Sequence, residues 1–243
     1  MGSPPSAPAP PPTAAERRLH LAAARGRARS CVRCPQLVAA RTTVVFGAGD
    51  PDAEVLFVGE SPGRSEDQQG LPLVGAPGRL LTDLLGEIGL RREDVYVTTA
   101  LKCRPPSGRD PLAEELSHCR EHLHAQIALV RPKVVCTLGN FATKLLREDP
   151  GSIKTLHGRA EVRRLGTRTV RLLPVHHPDA ALYEPRLVDV LRADLALVPG
   201  LVELPEPPQP VPDPPRGTDR GVTPPVDEDP RGQLGLFEID GPA

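Results

Sequence analysis

The sequence predicts an α/β fold, a three-layer α/β/α sandwich around a short, mainly parallel four-stranded sheet. Three observations carry that expectation. Strand-like apolar runs alternate with amphipathic helical stretches, the order that builds a parallel sheet covered by helices on both faces. The runs are continuously apolar, as strands buried on both faces are. The 243 residues include no Trp, two Tyr and four Phe, so the core must be aliphatic.

Taken in order, residues 1–15 (MGSPPSAPAPPPTAA) offer little to bury and read as a disordered leader. They lack the apolar core of a secretory signal. No run approaches the roughly 18 apolar residues of a membrane span, so a soluble cytoplasmic protein is expected. Glu16–Ala28 is a basic helix leading into Cys31. Strands are expected at Glu54–Gly59 (EVLFVG), Val95–Leu101 (VYVTTAL), Lys133–Gly139 (KVVCTLG) and Val170–Val175 (VRLLPV). The helices between and after them are Gly78–Ile88, Ala113–Val130, Asn140–Glu148 and Leu187–Val198, the first two with leucine and isoleucine stripes at helical spacing. The folded body is expected over 16–198, and the acidic, Pro-rich residues 199–243 read as a disordered tail. From Glu203 onward nine Asp/Glu face three Arg, whereas the whole chain carries only −1, so the body is mildly basic. That balance is compatible with a polyanionic partner.

Ligands of such folds sit beyond the carboxyl ends of the strands. The first strand runs into Gly59-Glu60-Ser61-Pro62-Gly63, with Glu66 close behind; the second ends near Thr99 and Lys102-Cys103-Arg104; the fourth leads to His176-His177-Pro178. The glycine-rich turn lacks the Lys-Ser/Thr ending of a phosphate-binding loop, which disfavours nucleotide hydrolysis. Cys31 and Cys34 form a C-x2-C pair, and 15 residues separate Cys103 from Cys119. Four thiolates can close a structural zinc site or hold an iron–sulfur cluster. Cys136, mid-strand, reads as a small buried hydrophobe.

The segments CVRCPQLVAARTTVVFG (31–47), VGESPG (58–63), EDQQGLPLVGAPG (66–78), VYVTTALKCRPP (95–106) and His177-Pro178 resemble the family 4 uracil-DNA glycosylases. These are the iron–sulfur members of the uracil-DNA glycosylase superfamily, and the likeness runs in collinear order through 16–198. The resemblance implies hydrolysis of the N-glycosidic bond of uracil in DNA, the first step of base excision repair. It implies a [4Fe–4S] cluster on Cys31, Cys34, Cys103 and Cys119, with zinc as the alternative. His177 would donate to uracil O2, the Glu60-Ser61 turn would bind the same edge, and Glu66 would position water. Lys102, Arg104 and Arg109 would contact phosphates.

Two positions depart from the family pattern. Leu73 stands where the family has the Phe on which uracil stacks, and Thr99 stands where it has the Asn that reads the base edge. Leucine loses aromatic stacking, and a threonine hydroxyl cannot both donate and accept in the bidentate manner of an amide. An altered base preference follows, or, as the alternative function, a noncatalytic nucleic-acid-binding member. A related branch captures uracil covalently through a histidine in a basic insertion; no such insertion follows Pro106, so that chemistry is not expected. In the tail, Gln233-Leu234-Gly235-Leu236-Phe237 resembles the QLxLF peptide by which bacterial repair and replication proteins dock on the sliding clamp. A monomer working at the nucleoid is expected.

Overall fold

The structure, a computed structural model, describes residues 12–210. The clamp-like peptide Gln233, Leu234, Leu236 and Phe237 lies outside the described residues. The chain runs α1 (Ala14–Arg29), α2 (Pro35–Ala40), β1 (Ala48–Gly49), β2 (Val55–Gly59), α3 (Arg64–Gln69), α4 (Gly75–Glu87), β3 (Tyr96–Thr99) and α5 (Ala113–Val130). It continues through β4 (Val134–Leu138), α6 (Gly139–Arg147), α7 (Ile153–Leu156), β5 (Glu161–Leu165), β6 (Arg168–Val175), α8 (Pro178–Tyr183), α9 (Arg186–Leu195) and α10 (Val198–Glu203). Thr13 caps α1 through a capping box with Glu16, which starts this helix two residues before the expected Glu16.

The sheet is mostly parallel but has six strands, not four, in the order β1-β3-β2-β4-β6-β5. The four anticipated strands form its parallel centre. The two additional strands pair antiparallel at the edges, and neither carries an apolar run. β1 is two residues long, and Gly49 is obligatory in it because a Cβ there would fall 1.8 Å from the Val95 carbonyl oxygen. β5 (EVRRL) alternates like a half-exposed strand and is joined to β6 by a tight turn with Gly166 at φ 62°. Charged edge strands of this kind resist pairing with another chain.

Successive strand residues face opposite layers. Leu56, Val58, Val135 and Leu172 pack under α1 and α5 with Leu21, Ala24, Leu123 and Ile127. Val55, Phe57, Val97, Cys136, Leu173 and Val175 pack under α4 and α9 with Leu81, Leu84, Leu85, Leu191 and Leu195. Cys136 is thus a buried core residue. The ordered body extends past the boundary expected at 198. α10 follows α9, Arg168 pairs with Glu206, and the Gln209 amide bonds the backbone N and O of Thr169 at 3.1 and 2.9 Å. Pro-rich composition keeps 204–210 extended, but those side chains dock it on β6. Among the described residues no helix is long and apolar enough to cross a membrane.

Candidate active site

At the carboxyl edge of the parallel strands lies an open cavity of about 630 Å³. Glu60, Ser61, Glu66, Leu73, Thr99 and His177 all line it, so the residues expected to form a pocket come together from β2, α3, β3 and α8. The turn after β2 is fastened to the segment after β3: the Ala100 N–H donates to the Gly59 carbonyl at 2.8 Å and the Leu101 N–H to the Glu60 carbonyl at 3.0 Å.

His177 is the N-cap of α8, and its Nδ1 accepts the Asp179 backbone N–H at 3.1 Å. A ring nitrogen that accepts a backbone N–H carries no proton, which leaves the proton of the neutral ring on Nε2. Desolvation holds the ring pKa below its usual value, against the opposing pull of the Asp179 and Glu66 carboxylates. Nε2 lies 4.0 Å from where a Cβ on Gly59 would be, next to the Thr99 methyl at 3.5 Å from the same point. Gly139, at φ 84°, makes room for the base of the side chain, since a Cβ there would press on the His177 Cβ at 3.1 Å. The cap therefore fixes a neutral ring with its N–H donor on a residue that lines the cavity.

Burial raises the Glu60 pKa, with Asp110 adding to the effect. Glu66, in the first turn of α3, accepts the Val74 N–H on Oε1 at 3.0 Å, which pins the loop that carries Leu73. Leu73 sits at φ 51°, a left-handed conformation costly for leucine. Gly78 permits it: a Cβ at 78 would meet the Leu73 carbonyl oxygen at 2.2 Å. The Thr99 hydroxyl donates to the Leu101 carbonyl at 2.5 Å. Its single proton is thus spent on the backbone, leaving lone pairs and a methyl at that wall.

The three basic candidates lie elsewhere. Lys102, expected on a phosphate, is only 1% exposed; its ammonium donates to Thr98 Oγ1 at 2.7 Å and to the Thr99 carbonyl at 2.5 Å. A side chain enclosed by the β3 terminus, its pKa pushed down to about 7 by burial, cannot reach DNA, so that assignment is corrected. Arg104 pairs with the buried carboxylate of Asp67 at 3.3 Å, and Arg109 grips Glu115 through both terminal nitrogens at 2.9 and 2.5 Å. Arg64, exposed on the cavity wall, has no acidic partner among the described residues.

Cys31, Cys34, Cys103 and Cys119 are free thiols lining one small cavity enclosed by the end of α1, α2, the segment after β3, and α5. Among the described residues no three His, Cys, Asp or Glu side chains close on one point as a single-ion site would; the four sulfurs share the cavity wall. Donors surround them. Arg41 Nη1 reaches Cys103 Sγ at 3.2 Å, the Lys102 N–H reaches Cys119 Sγ at 3.3 Å, and His118 Nδ1 is 3.5 Å from Cys34 Sγ. Burial and the neighbouring sulfurs push the Cys34 thiol up to about 11. The Arg41 guanidinium and the Lys102 backbone N–H, both directed at sulfur, make a setting for a group that is anionic overall.

Sequence reasoning missed Asp67, which lies one residue from Glu66 and is fully buried. It also missed the pairing of His157 Nδ1 with Asp194 at 3.0 Å, beside His176. An acidic residue on a short helix and single histidines carry no local signal of such partners.

The family model described as uracil DNA glycosylase superfamily matches residues 46–196. The chain is 44% identical over 170 residues to the type-4 uracil-DNA glycosylase of Archaeoglobus fulgidus, covering 68% of this chain and 84% of that protein. It is 43% identical over 157 residues to the type-4 enzyme of Thermotoga maritima, 64% of this chain and 80% of that protein. The type-5 uracil-DNA glycosylase of Pyrobaculum aerophilum is more distant, 31% identical over 179 residues, 61% and 78% of the two chains.

Proposed function

Since the chain belongs to the uracil DNA glycosylase superfamily, we propose that the cavity at the carboxyl edge of its sheet is the place where uracil is cut from DNA, with His177 as the principal donor to the departing base. The protein is a uracil-DNA glycosylase, a DNA-repair hydrolase whose substrate is DNA. A noncatalytic binding role is not favoured.

The base leaves the stack to enter the cavity. As the C1′–N1 bond breaks, its electron pair stays with uracil and positive charge develops on the sugar. The His177 Nε2–H meets the negative charge growing on O2, and the Glu60-Ser61 turn closes on the same edge. Water then adds to C1′, and the proton it gives up neutralises the uracil anion, which leaves as the free base. Glu66 holds that water through Oε2, since Oε1 is committed to Val74. Preorganised donors of this kind commonly supply the largest share of rate enhancement. The observation that carries this reading is the Asp179 N–H on His177 Nδ1, which fixes the tautomer able to donate into the cavity. Arg64, exposed on the cavity wall, would meet a phosphate, while Arg104 and Arg109 are engaged with Asp67 and Glu115.

The pH dependence follows in sign. The folded-state pKa of His177 lies below the usual 6.5, so the ring stays neutral at pH values where a free histidine charges. Its protonation would set an Nδ1–H against the Asp179 N–H. The rate of uracil release is therefore expected to stay level from neutrality down past pH 6.5, with its acid limb lower. The unfolded chain binds the proton first, so the associated stability is complete above the unfolded value and is lost as pH falls through the folded one. Single-turnover rates across pH check this, and an acid limb at or above 6.5 would contradict it.

At the departures from the family, Thr99→Asn restores an amide at the base edge and Leu73→Phe restores a stacking ring, worth about 1–3 kcal/mol per base in single-strand binders. Each is expected to raise uracil turnover. Rates on uracil, hypoxanthine and xanthine oligonucleotides check it, and no gain on uracil from either would discredit the assignment of these two walls.

Cys31, Cys34, Cys103 and Cys119 would hold a [4Fe–4S] cluster, a reading supported by the shared cavity and by the Arg41 and Lys102 donors. When bound, the cluster supplies a cross-link among four segments and takes no part in the steps above. Residues 233–237 would dock the enzyme on a sliding clamp. Deleting them is expected to abolish clamp binding in a surface-binding assay and leave uracil release unchanged; retained binding would reject the docking role.

A further inference from the structure

Glu66 and Asp67 are adjacent on the short helix α3, and their carboxylates hold different parts of the chain. Glu66 holds the Val74 N–H and with it the cavity wall at Leu73. Asp67 accepts the Thr42 N–H at 2.8 and 2.9 Å, the Thr43 N–H at 3.2 Å and Arg104 Nε at 3.3 Å. Thr42 follows Arg41, whose guanidinium donates to Cys103 Sγ at 3.2 Å and to the Cys31 carbonyl at 3.1 Å. Arg104 follows Cys103 and donates from Nη2 to the Ala40 carbonyl at 3.3 Å. The contacts therefore close a ring: Cys103, Arg104, Asp67, Thr42, Arg41 and back to Cys103. Gly70, the C-cap of α3, lies against Thr43, where an added Cβ would sit 3.5 Å from its methyl.

We propose that Asp67 is a positioning residue that transmits the geometry of the cysteine site to the wall of the base cavity, with α3 as the joint between them. The proposal rests on the assignment of that cavity to uracil excision. A carboxylate this buried is a rigid node, because Asp67 itself would be left unpaired in a low-dielectric interior if its N–H partners moved away. The adjacent Glu66 transfers any rotation of α3 directly to Val74. A change at Cys103 moves Arg104 and Arg41, these move Asp67, and the cavity wall follows. The cysteine site thereby acts on the chemistry without touching the substrate.

Asp67→Asn keeps the shape but replaces one acceptor oxygen with an NH2 that faces other donors. The test compares wild type and D67N, each as the cluster-loaded and the cluster-stripped full chain. Hydrogen exchange is followed in peptides covering 40–44 and 71–76, together with iron content, kcat and KM on a uracil-containing oligonucleotide. In wild type, stripping the cluster is expected to speed exchange in both segments. In D67N it speeds exchange in 40–44 only, and loaded D67N shows kcat lowered about tenfold with KM within about threefold. Unchanged protection of 71–76 on stripping wild type overturns the proposal, as does a wild-type kcat in D67N. A kcat that falls only in proportion to lost iron also overturns it, since that reports cluster loss. If D67N does not fold, Arg104→Gln weakens the same node and must give the same split. Wild type inactive on uracil would defeat the functional assignment instead, while the exchange result stands independently of activity.

Discussion

Replacing His177 with alanine is expected to lower the single-turnover rate of uracil release by about 10²–10³, the usual cost of deleting one donor aimed at developing negative charge. Binding of uracil-containing DNA should change far less, because this interaction strengthens as the bond breaks. The fold should survive. The variant loses the Nδ1 cap on α8, a contribution of about 1 kcal/mol, whereas the core on both faces of the sheet is untouched. Circular dichroism and a thermal melt separate the two effects. A loss below about threefold, less than 1 kcal/mol of transition-state stabilisation, would remove His177 from the chemistry.

Replacing Cys103 or Cys119 with alanine is expected to remove most bound iron and the broad visible absorbance, and to lower the melting temperature markedly. Metal binding to a structural site contributes directly to folding, by on the order of 10 kcal/mol for small zinc domains. In this chain the aliphatic core carries much of the stability, so the anticipated loss is smaller, several kcal/mol, and centred on α1, α2 and the segment after β3. Cys136→Ala is the matched control. Cys136 packs between the sheet and the α4/α9 layer, so this variant should keep its iron and lose about 1 kcal/mol to the small cavity left. Metal analysis of the wild type also separates iron from zinc. Iron fully retained in Cys103→Ala would show that the four cysteines are not the ligand set.

The parallel centre of the sheet was legible because strands such as Val55–Gly59, with all five residues buried, must be apolar throughout. Ala113–Val130 was legible to the residue, since leucines and isoleucines recur on one face and the ends coincide with sharp changes in pattern. β5 was not, because an edge strand with one wet face reads as a charged loop; only its pairing with β6 and the Gly166 turn make it a strand. The cavity residues were legible through their place after strand ends and through family likeness. Their hydrogen bonds were not: nothing local indicates that Thr99 spends its proton on Leu101 or that His177 caps its own helix. Lys102 shows the limit most plainly. A lysine after a strand reads as surface charge, and only the closure of β3, Thr98 and Cys119 around it turns it into an interior group.

Nitrogen-15 NMR of the His177 ring at neutral pH, in the protein bound to DNA with an abasic site and free uracil, tests the central claim most directly. The account predicts a neutral imidazole with its proton on Nε2, hydrogen-bonded to the base, and Nδ1 unprotonated. A proton on Nδ1, whether in the other tautomer or in an imidazolium, would contradict it.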